Sequence, residues 1–265
     1  MKLALAGAAG RMGRTLTEAV LRSGDLALAA ALEAPGHPQL GRDAGEAVGA
    51  TAGVKLTADV AAAVAAADCL VDFTQPEATT GHVEACAAAG TAAVVGTTGF
   101  TPDQKARIAA AARRIPIVMA PNFAVGVNAV FKLAELAARI LGAGYDVEIV
   151  EAHHRHKADA PSGTALALGE VVAAALGRDL KSCATHGREG ITGERDPRAI
   201  GFHAIRGGDI VGEHTVIFAG EGERVEIAVR SGSRMTYALG ALRAARWLPG
   251  KQPGLYDMFD VLGLK

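Results

Sequence analysis

Segment 151–164 concentrates residues that can bind anions and transfer protons, and we call it the basic segment. It reads Glu-Ala-His-His-Arg-His-Lys-Ala-Asp-Ala-Pro-Ser-Gly-Thr, and three of the chain's eight histidines lie within four of its residues. So many potential positive charges repel one another unless water or an anion faces them. The residue types therefore leave open an anion-binding site with acid–base chemistry or a basic loop in contact with solvent.

The elements on either side of the basic segment favour anion binding. Tyr145–Glu151 combines β-branched residues with polar ones, which predicts a strand. Ser162 can cap a following helix over Thr164–Leu176. The first N–H groups of a helix are free to bind anions, and the helix dipole adds positive potential there. The segment thus ends where a carboxylate or a phosphate can bind.

A metal site is the third interpretation of these histidines. His154 and His156 are separated by one residue, Arg155, and could bind the same metal ion. No Cys/His pair at ligand spacing accompanies them elsewhere in the chain. We therefore expect no bound metal.

A glycine-rich turn near the N-terminus indicates nucleotide binding. Gly7, Gly10 and Gly13 lie between an apolar strand over 2–6 and a helix over 14–22. Glycine permits the tight turn and lets the backbone approach a pyrophosphate. The spacing G-x-x-G-x-x-G differs from the usual dinucleotide fingerprint, so a plain glycine turn remains the alternative.

Glu33 strengthens the nucleotide interpretation. It ends the next predicted strand, twenty residues after Gly13, where an acid can accept hydrogen bonds from the adenosine ribose. Its charge would repel a 2′-phosphate, and Ala34 supplies no cation to offset it. Arg11 is the nearest residue that could reach a phosphate. The sequence favours NADH as cofactor without excluding NADPH.

The first half of the chain alternates short apolar strands with helices, which predicts a parallel sheet covered on both faces. The further predicted strands are 26–33, 69–73, 91–95 and 115–119. Ligands of such sheets bind beyond the carboxyl ends of the strands. The turns that follow residues 6, 73, 95 and 119 should therefore line one crevice.

The pattern changes after residue 124. Following a helix over 128–141 and the basic segment, three predicted strands are joined by the glycine turns 207–209 and 220–222. Strands joined by tight turns pair antiparallel, whereas 181–196 is predicted to be a polar excursion. A helix over 235–248 returns to the first domain.

The sequence therefore predicts an α/β protein of two domains. The first is a Rossmann-type parallel-sheet domain formed by 1–124 with 235–265, and it binds the dinucleotide. The second, 125–234, is an α+β domain with a mixed or antiparallel open sheet, and it serves substrate binding and oligomerisation.

Composition limits the remaining function classes. The net charge of −1 gives no support for nucleic-acid or anionic-membrane binding. The three cysteines are widely spaced, which suggests free thiols in a reducing compartment. Since the N-terminus lacks a signal-peptide pattern and no stretch is long and apolar enough to span a membrane, we expect a cytoplasmic protein.

Together these motifs resemble the dihydrodipicolinate reductase (4-hydroxy-tetrahydrodipicolinate reductase) family of bacterial lysine and diaminopimelate biosynthesis. The resemblance covers essentially the whole chain and is most specific in the basic segment. Supporting segments occur in the family's order at 7–13, 72–79, 96–99, 120–123 and 206–214. The resemblance implies NAD(P)H-dependent reduction of a cyclic dicarboxylate, 4-hydroxy-2,3,4,5-tetrahydrodipicolinate, by a homotetramer assembled through the C-terminal sheets.

The resemblance also implies residue roles. His153 is expected to be a proton donor or acceptor, Lys157 a proton donor, and His154, Gly163 and Thr164 substrate contacts. The implied cofactor contacts are Gly7, Ala8, Ala9, Gly10, Arg11, Met12, Glu33, Gly96, Thr97, Thr98, Ala120, Pro121, Asn122 and Phe123. The chain departs from the family at Ala34, where members that use NADPH well often carry arginine.

Two other functions fit parts of the pattern. A semialdehyde dehydrogenase needs a nucleophilic cysteine beside a base, and none of Cys69, Cys86 and Cys183 has an activating context. A non-enzymatic NAD(H)-sensing regulator needs a DNA-reading module, and the sequence shows neither a helix-turn-helix extension nor a basic stripe.

Overall fold

The computed structural model describes residues 1–265 as twelve strands, nine α-helices and two short 3₁₀ helices, Glu46–Val48 and Gly142–Gly144. The strands are β1 (Lys2–Ala6), β2 (Ala27–Leu32), β3 (Leu56–Thr57), β4 (Cys69–Asp72), β5 (Ala92–Val95), β6 (Pro116–Met119), β7 (Asp146–His153), β8 (Ala184–His186), β9 (Ile200–Arg206), β10 (Gly212–Ala219), β11 (Arg224–Ser231) and β12 (Gly254–Tyr256). The helices are α1 (Arg11–Leu21), α2 (Val60–Ala65), α3 (Pro76–Ala89), α4 (Pro102–Ala112), α5 (Val125–Leu141), α6 (Gly163–Ala175), α7 (Leu180–Cys183), α8 (Met235–Trp247) and α9 (Met258–Leu262). No helix has both the length and the hydrophobicity that crossing a membrane requires.

The chain divides into two compact units. The first comprises Met1–Val125 and Arg234–Lys265, and the second comprises Gly126–Ser233. The first unit contains a seven-stranded sheet in the order β12-β6-β5-β4-β1-β2-β3, and every strand pair in it is parallel. The predicted Rossmann-type sheet is confirmed. The sequence prediction missed β3 and β12, because two or three residues carry too little pattern to be recognised.

Side-chain alternation explains why this sheet is covered on both faces. Leu3 and Leu5 of β1 belong to one core with α1, α8 and α9, whereas Ala4 and Ala6 belong to a second core with α2, α3 and α4. Successive strand residues point to opposite faces, so an unbroken apolar run supplies both cores.

The parallel arrangement brings the predicted cofactor turns to one edge of the sheet. β6, β5, β4 and β1 are consecutive neighbours, so the turns after Ala6, Asp72, Val95 and Met119 all lie at carboxyl ends. Glycine is required in the first of these turns. Gly7 has φ +64°, and a Cβ at Gly13 would overlap the carbonyl oxygen of Gly7.

Helix α8 supports the turn that follows β6. A Cβ added at Gly240 would overlap the carbonyl oxygen of Phe123, so α8 approaches this turn as closely as its backbone allows. Phe123 is buried, and its ring packs edge-on against Phe73 with centroids 5.5 Å apart. Helix α8 thus fixes a segment predicted to contact the cofactor.

The second unit contains a mixed five-stranded sheet in the order β11-β10-β7-β9-β8. This sheet confirms the predicted fold class, but the expected antiparallel pairing of β9 with β10 is wrong. β7 lies between them and pairs parallel with β9 and antiparallel with β10. The turn at Gly207 and Gly208 instead crosses the end of β7. There the Gly207 N–H donates to the His153 carbonyl, and the Arg155 N–H donates to the Gly208 carbonyl.

Three predicted boundaries also change. β7 continues to His153, which therefore belongs to the strand and not to the loop. The supposed polar excursion begins with α7 and the edge strand β8, which pairs parallel with β9. Helix α5 begins at Val125, three residues earlier than predicted.

Replacing Gly240 by alanine should destabilise the protein by about 1–3 kcal/mol, because the new methyl group overlaps backbone that has no room to move. Gly81 in α3 is a matched control, since a Cβ there meets nothing within 4 Å. Gly81→Ala should stabilise by about 0.5–1 kcal/mol, as expected for alanine in a helix. Urea denaturation of both variants measures the difference, and equal midpoints would contradict the close contact.

Candidate active site

A buried carboxylate organises the basic segment. The Glu151 side chain is 1% exposed and accepts four hydrogen bonds. Both terminal nitrogens of Arg206 donate to it at 2.7 Å, the His153 ring nitrogen Nδ1 lies 2.6 Å away, and the Ser162 N–H donates at 3.0 Å. A charge removed from water must be paired in this way. Glu151 thus joins a strand end, a neighbouring strand and the start of α6.

Strand register explains how these side chains meet. β7 is paired on both sides, with His214 of β10 opposite Glu151 and Arg206 of β9 opposite His153. Residues two apart on a strand share a face, so Glu151 and His153 point the same way. His214 and His153 pack edge-on with ring centroids 5.2 Å apart.

The charges in this cluster follow from burial and pairing. Burial acts to raise the pKa of Glu151, but the hydrogen bonds from Arg206, His153 and Ser162 hold that pKa below its usual value. The carboxylate is therefore ionised and can only accept, so His153 Nδ1 carries a proton. Burial lowers the pKa of His153, although Glu151 opposes this shift. The ring nitrogen Nε2 of His153 is left to exchange protons with a ligand.

Lys157 is placed differently from His153. Its Nζ donates to both carboxylate oxygens of Asp159 at 2.8 Å, and this contact lowers the pKa of Asp159. His153 and Lys157 do not bond directly. Arg206 connects their surroundings, because its nitrogen Nη2 donates both to the Glu151 carboxylate and, at 2.6 Å, to the Asp159 carbonyl. Arg206 is therefore hydrogen-bonded both to Glu151, the partner of His153, and to Asp159, the partner of Lys157.

The start of α6 presents open N–H donors. The Ser162 hydroxyl caps the helix by accepting the Ala165 N–H at 3.2 Å, as predicted from the sequence. Because the Ser162 N–H is bound to Glu151, the N–H groups of Gly163 and Thr164 are the first-turn donors without a protein acceptor. His154 precedes this turn and has a buried Nδ1 without a hydrogen-bond partner. These three residues can offer donors to a carboxylate.

Arg206 and His214 are site residues that the sequence analysis did not single out. Both lie in segment 206–214, which was quoted there only for its family resemblance. Arg206 is the last residue of β9 and His214 is the third residue of β10, and no local pattern marks either of them. The His214 ring nitrogen Nε2 lies 3.1 Å from the Ser162 hydroxyl, and burial lowers the pKa of His214 to about 4. His214 is therefore neutral near pH 7.

The predicted adenosine-binding residues lie around the turn after β1. The N–H groups of Ala8, Ala9 and Gly10 are bound to the Leu32 carbonyl, the Glu33 carboxylate and the Gly7 carbonyl, respectively. Helix α1, which begins with Arg11 and Met12, has Gly10 as its N-cap and no side-chain cap. This helix terminus can bind a pyrophosphate. Glu33 is fixed by the N–H groups of Ala9 and Ala34, at 3.0 and 2.9 Å.

The other predicted cofactor residues lie beyond β5 and β6. A cavity of about 280 Å³ there is lined by Thr97, Thr98, Ala120 and Pro121, together with Gly99, Phe100, Lys105 and Met119. A Cβ on Gly96 would overlap the Phe73 ring, so the chain passes close to that ring. The Asn122 side chain accepts the Ala124 N–H at 2.9 Å and holds the turn that ends at Phe123. The cavity and the uncapped α1 together suit a dinucleotide.

Two of the three cysteines, Cys69 and Cys86, lack the activation that a nucleophilic cysteine requires. Cys69 and Cys86 are buried, and burial raises the pKa of both thiols, that of Cys86 to about 12. Nucleophilic cysteines have a lowered pKa. No group of three His, Cys, Asp or Glu side chains is placed to hold a metal ion.

Comparison with known proteins places the chain in a family. The N- and C-terminal sequence models of dihydrodipicolinate reductase match residues 1–123 and 126–262. The chain belongs to the dihydrodipicolinate reductase family. It is 62% identical to the 4-hydroxy-tetrahydrodipicolinate reductase of Thiobacillus denitrificans over 265 residues, which cover 100% of this chain and 99% of that protein. It is also 62% identical to the reductase of the same name from Aromatoleum aromaticum, covering 100% of this chain and 96% of the relative.

A solved structure supports the same conclusion. The dipicolinate-bound dihydrodipicolinate reductase from Paenisporosarcina sp. TG-14 aligns with a TM-score of 0.77 and 25% identity, and the alignment covers 98% of each chain. The family expected from the motifs is thereby confirmed, and the chain is an oxidoreductase. The semialdehyde dehydrogenase and regulator alternatives are set aside.

His214 should make the protein less stable in mild acid. Its folded pKa of about 4 lies below the unfolded value of 6.5, so between these values the unfolded chain binds more protons. Stability should fall as the pH drops from 6.5 towards 4, by at most about 1.4 kcal/mol per pH unit from this residue.

His214→Gln removes the titration and keeps a polar atom near Ser162. Its unfolding free energy should depend less steeply on pH in that window, whereas the exposed control His156→Gln should keep the wild-type slope. Urea denaturation from pH 4 to 7 measures all three proteins. Parallel curves for wild type and His214→Gln would contradict the buried neutral histidine.

Proposed function

We propose that the chain reduces 4-hydroxy-2,3,4,5-tetrahydrodipicolinate to 2,3,4,5-tetrahydrodipicolinate, with NADH or NADPH as reductant and with loss of water. Membership in the family, at 62% identity over the whole chain, supports this reaction. The observation that carries it is the buried Glu151, which binds both His153 and the N–H that opens α6. The candidate proton-transfer residue His153 and the candidate anion site at the start of α6 are thereby both hydrogen-bonded to Glu151.

The second unit recognises the substrate. One carboxylate binds the N–H groups of Gly163 and Thr164 and the Thr164 hydroxyl at the start of α6. His154 and the cationic side chains of the basic segment hold the other carboxylate and attract the dianion. Dipicolinate, which is bound in the Paenisporosarcina relative, is a cyclic dicarboxylate of the same chemical class.

The basic segment also supplies the proton. A nicotinamide held by the first unit would supply a hydride to C4 of the conjugated imine left after loss of water. The resulting enamine needs a proton, which either Lys157 Nζ or His153 Nε2 donates. Burial and the positive charges of Lys157 and Arg206 lower the pKa of His153, which makes proton donation from His153 easier. Glu151 keeps Nδ1 of His153 protonated and so directs the exchange to Nε2.

The first unit holds the cofactor. The uncapped start of α1 with Arg11 and Met12 binds the pyrophosphate, Glu33 binds the adenosine ribose, and the remaining predicted contacts in 96–98 and 120–123 surround the other half. We propose NADH as the preferred cofactor, because Glu33 carries negative charge where a 2′-phosphate would lie. We propose that residues 1–124 with 235–265 form the cofactor-binding domain and that residues 125–234 form the substrate-binding domain.

Wider aspects of the proposal follow from the reaction. The product belongs to lysine and diaminopimelate biosynthesis, and we place the protein in the cytoplasm, with no nucleic-acid or membrane partner. We also propose a homotetramer assembled through the second unit's sheet. Ile205 of β9 is a large hydrophobic residue exposed on the face of that sheet opposite the core residues Ile200 and Phe202, which supports assembly there.

A direct assay tests the function. Purified protein is mixed with freshly generated 4-hydroxy-tetrahydrodipicolinate and either NADH or NADPH, and nicotinamide absorbance is followed with a substrate-free control. Substrate-dependent loss of absorbance supports the proposal. No oxidation of either cofactor would reject it.

Removing the proton donors should lower turnover. His153→Ala and Lys157→Ala should each reduce kcat by about 10²–10⁴, the usual contribution of general acid–base catalysis. The matched control is His156→Ala, because His156 is exposed and bonded to none of the cluster. Steady-state kinetics with both cofactors measure the effect. Near-normal kcat in both variants would contradict the acid–base role, and loss of activity in the control would reopen the metal interpretation.

Cofactor preference should respond to position 34. Ala34 is exposed beside Glu33, and Ala34→Arg would place a cation where the 2′-phosphate is expected. The ratio of kcat/KM for NADPH to that for NADH should rise by roughly fivefold to tenfold, in line with an exposed ion pair of about 1 kcal/mol. Ala34→Gln, long but neutral, should leave the ratio nearly unchanged. An unchanged ratio in Ala34→Arg would show that Glu33 does not face the ribose.

A further inference from the structure

A chain of hydrogen bonds runs from a buried carboxylate to a predicted cofactor residue in the first unit. Asp72 ends β4, and its Oδ1 accepts the Thr74 hydroxyl at 2.7 Å. The Thr74 and Thr79 hydroxyl oxygens are 3.2 Å apart, and those of Thr79 and Thr97 are 2.7 Å apart. Four elements therefore contribute to this series of hydrogen bonds: the end of β4, the turn after it, helix α3 and the turn after β5.

The carboxylate fixes the direction of the first bond. The Asp72 side chain is 1% exposed, and its Oδ1 also accepts the Thr74 N–H at 2.8 Å. Its other oxygen lies 2.8 Å from the His82 ring nitrogen Nδ1. Since a carboxylate that receives donors on both oxygens acts only as an acceptor, the Thr74 hydroxyl must donate to it.

The donor and acceptor roles of the next two hydroxyl groups follow from this first hydrogen bond. A hydroxyl carries a single hydrogen, so Thr74, having donated it to Asp72, can only accept from Thr79. Thr79 then accepts from Thr97 by the same argument. The hydrogen of Thr97 therefore points at the Thr79 oxygen, and the Thr97 oxygen has only lone pairs left for another partner.

Thr97 lies where this polarity matters. Thr97 is only 6% exposed, and it lines the cavity beyond β5 and β6. Glu33 and the glycine turn lie with β2 and β1 on the other side of β4 in the sheet order. A dinucleotide bound across the strand ends with its adenosine at Glu33 has its nicotinamide on the β5–β6 side.

We propose that Asp72, Thr74 and Thr79 set the Thr97 hydroxyl as a hydrogen-bond acceptor for the carboxamide N–H₂ of the nicotinamide. Asp72 and Thr79 are positioning residues, and Thr97 makes the contact. The proposal rests on the cofactor class of the proposed function. An acceptor at this position selects one of the two orientations of the carboxamide, because its carbonyl oxygen cannot occupy the same place.

A cofactor analogue isolates the carboxamide N–H₂. In reduced 3-acetylpyridine adenine dinucleotide a methyl group replaces the amino group, so the donor is lost and the rest of the molecule is kept. Dissociation constants of NADH and of this analogue are measured by titration calorimetry with the full chain. Wild type should bind NADH about tenfold more tightly than the analogue.

Thr79→Val removes the middle hydroxyl with little change in shape. It should weaken NADH binding by about tenfold and leave binding of the analogue nearly unchanged, so the preference disappears. Thr79→Ser should restore the preference. The matched control is Thr80→Val on the same helix. The buried Thr80 hydroxyl donates to the Pro76 carbonyl and takes no part in the hydrogen bonds between Asp72 and Thr97. The Thr80→Val protein should therefore keep the wild-type preference for NADH.

Several outcomes separate this inference from the proposed function. A wild-type protein that binds both cofactors equally, or a Thr79→Val protein that keeps the wild-type preference, would overturn the inference and leave the reductase function standing. Failure of wild type to bind either cofactor would reject both. If Thr79→Val does not fold, Thr97→Val takes its place, with the same loss of preference expected and the same result overturning the inference.

Discussion

The second unit depends on one ionised carboxylate held away from water. Glu151 is stabilised because Arg206, His153 and the Ser162 N–H all donate to it, and removing any one of them would leave the buried charge with fewer donors. The same four bonds orient the candidate proton-transfer histidine and fix the start of the candidate anion-binding helix. The stability of this cluster and the geometry of the candidate site are therefore consequences of a single electrostatic requirement.

The first unit uses a similar arrangement. Asp72 is a buried carboxylate at the end of a parallel strand, and its donors come from the following turn and from helix α3. At both sites the acid lies at the carboxyl end of a strand, where the ladder of backbone bonds stops and side chains meet ligands. Because an ionised carboxylate only accepts hydrogen bonds, each acid determines which neighbouring groups still have a proton to offer.

Local sequence predicted much of this arrangement. The strands 69–73 and 115–119 were recognisable because parallel strands buried on both faces are apolar throughout. The cap at Ser162 was recognisable because a hydroxyl just before a helical pattern satisfies a free N–H. The pairing of β9 with β10 was predicted wrongly, because a glycine turn usually joins neighbouring strands and nothing local shows that β7 inserts between them.

The sequence by itself determined the alternation of strands and helices, the glycine turn, the placement of the basic segment before a helix start, and the family. These features depend on residues close together in the chain. Only the tertiary structure decided that Arg206 and His214 join Glu151, that Arg206 links the surroundings of His153 and Lys157, and that Thr79 connects Asp72 to Thr97. Those contacts depend on strand register and helix packing, which join residues up to 63 positions apart in the Glu151 cluster and which no local pattern encodes.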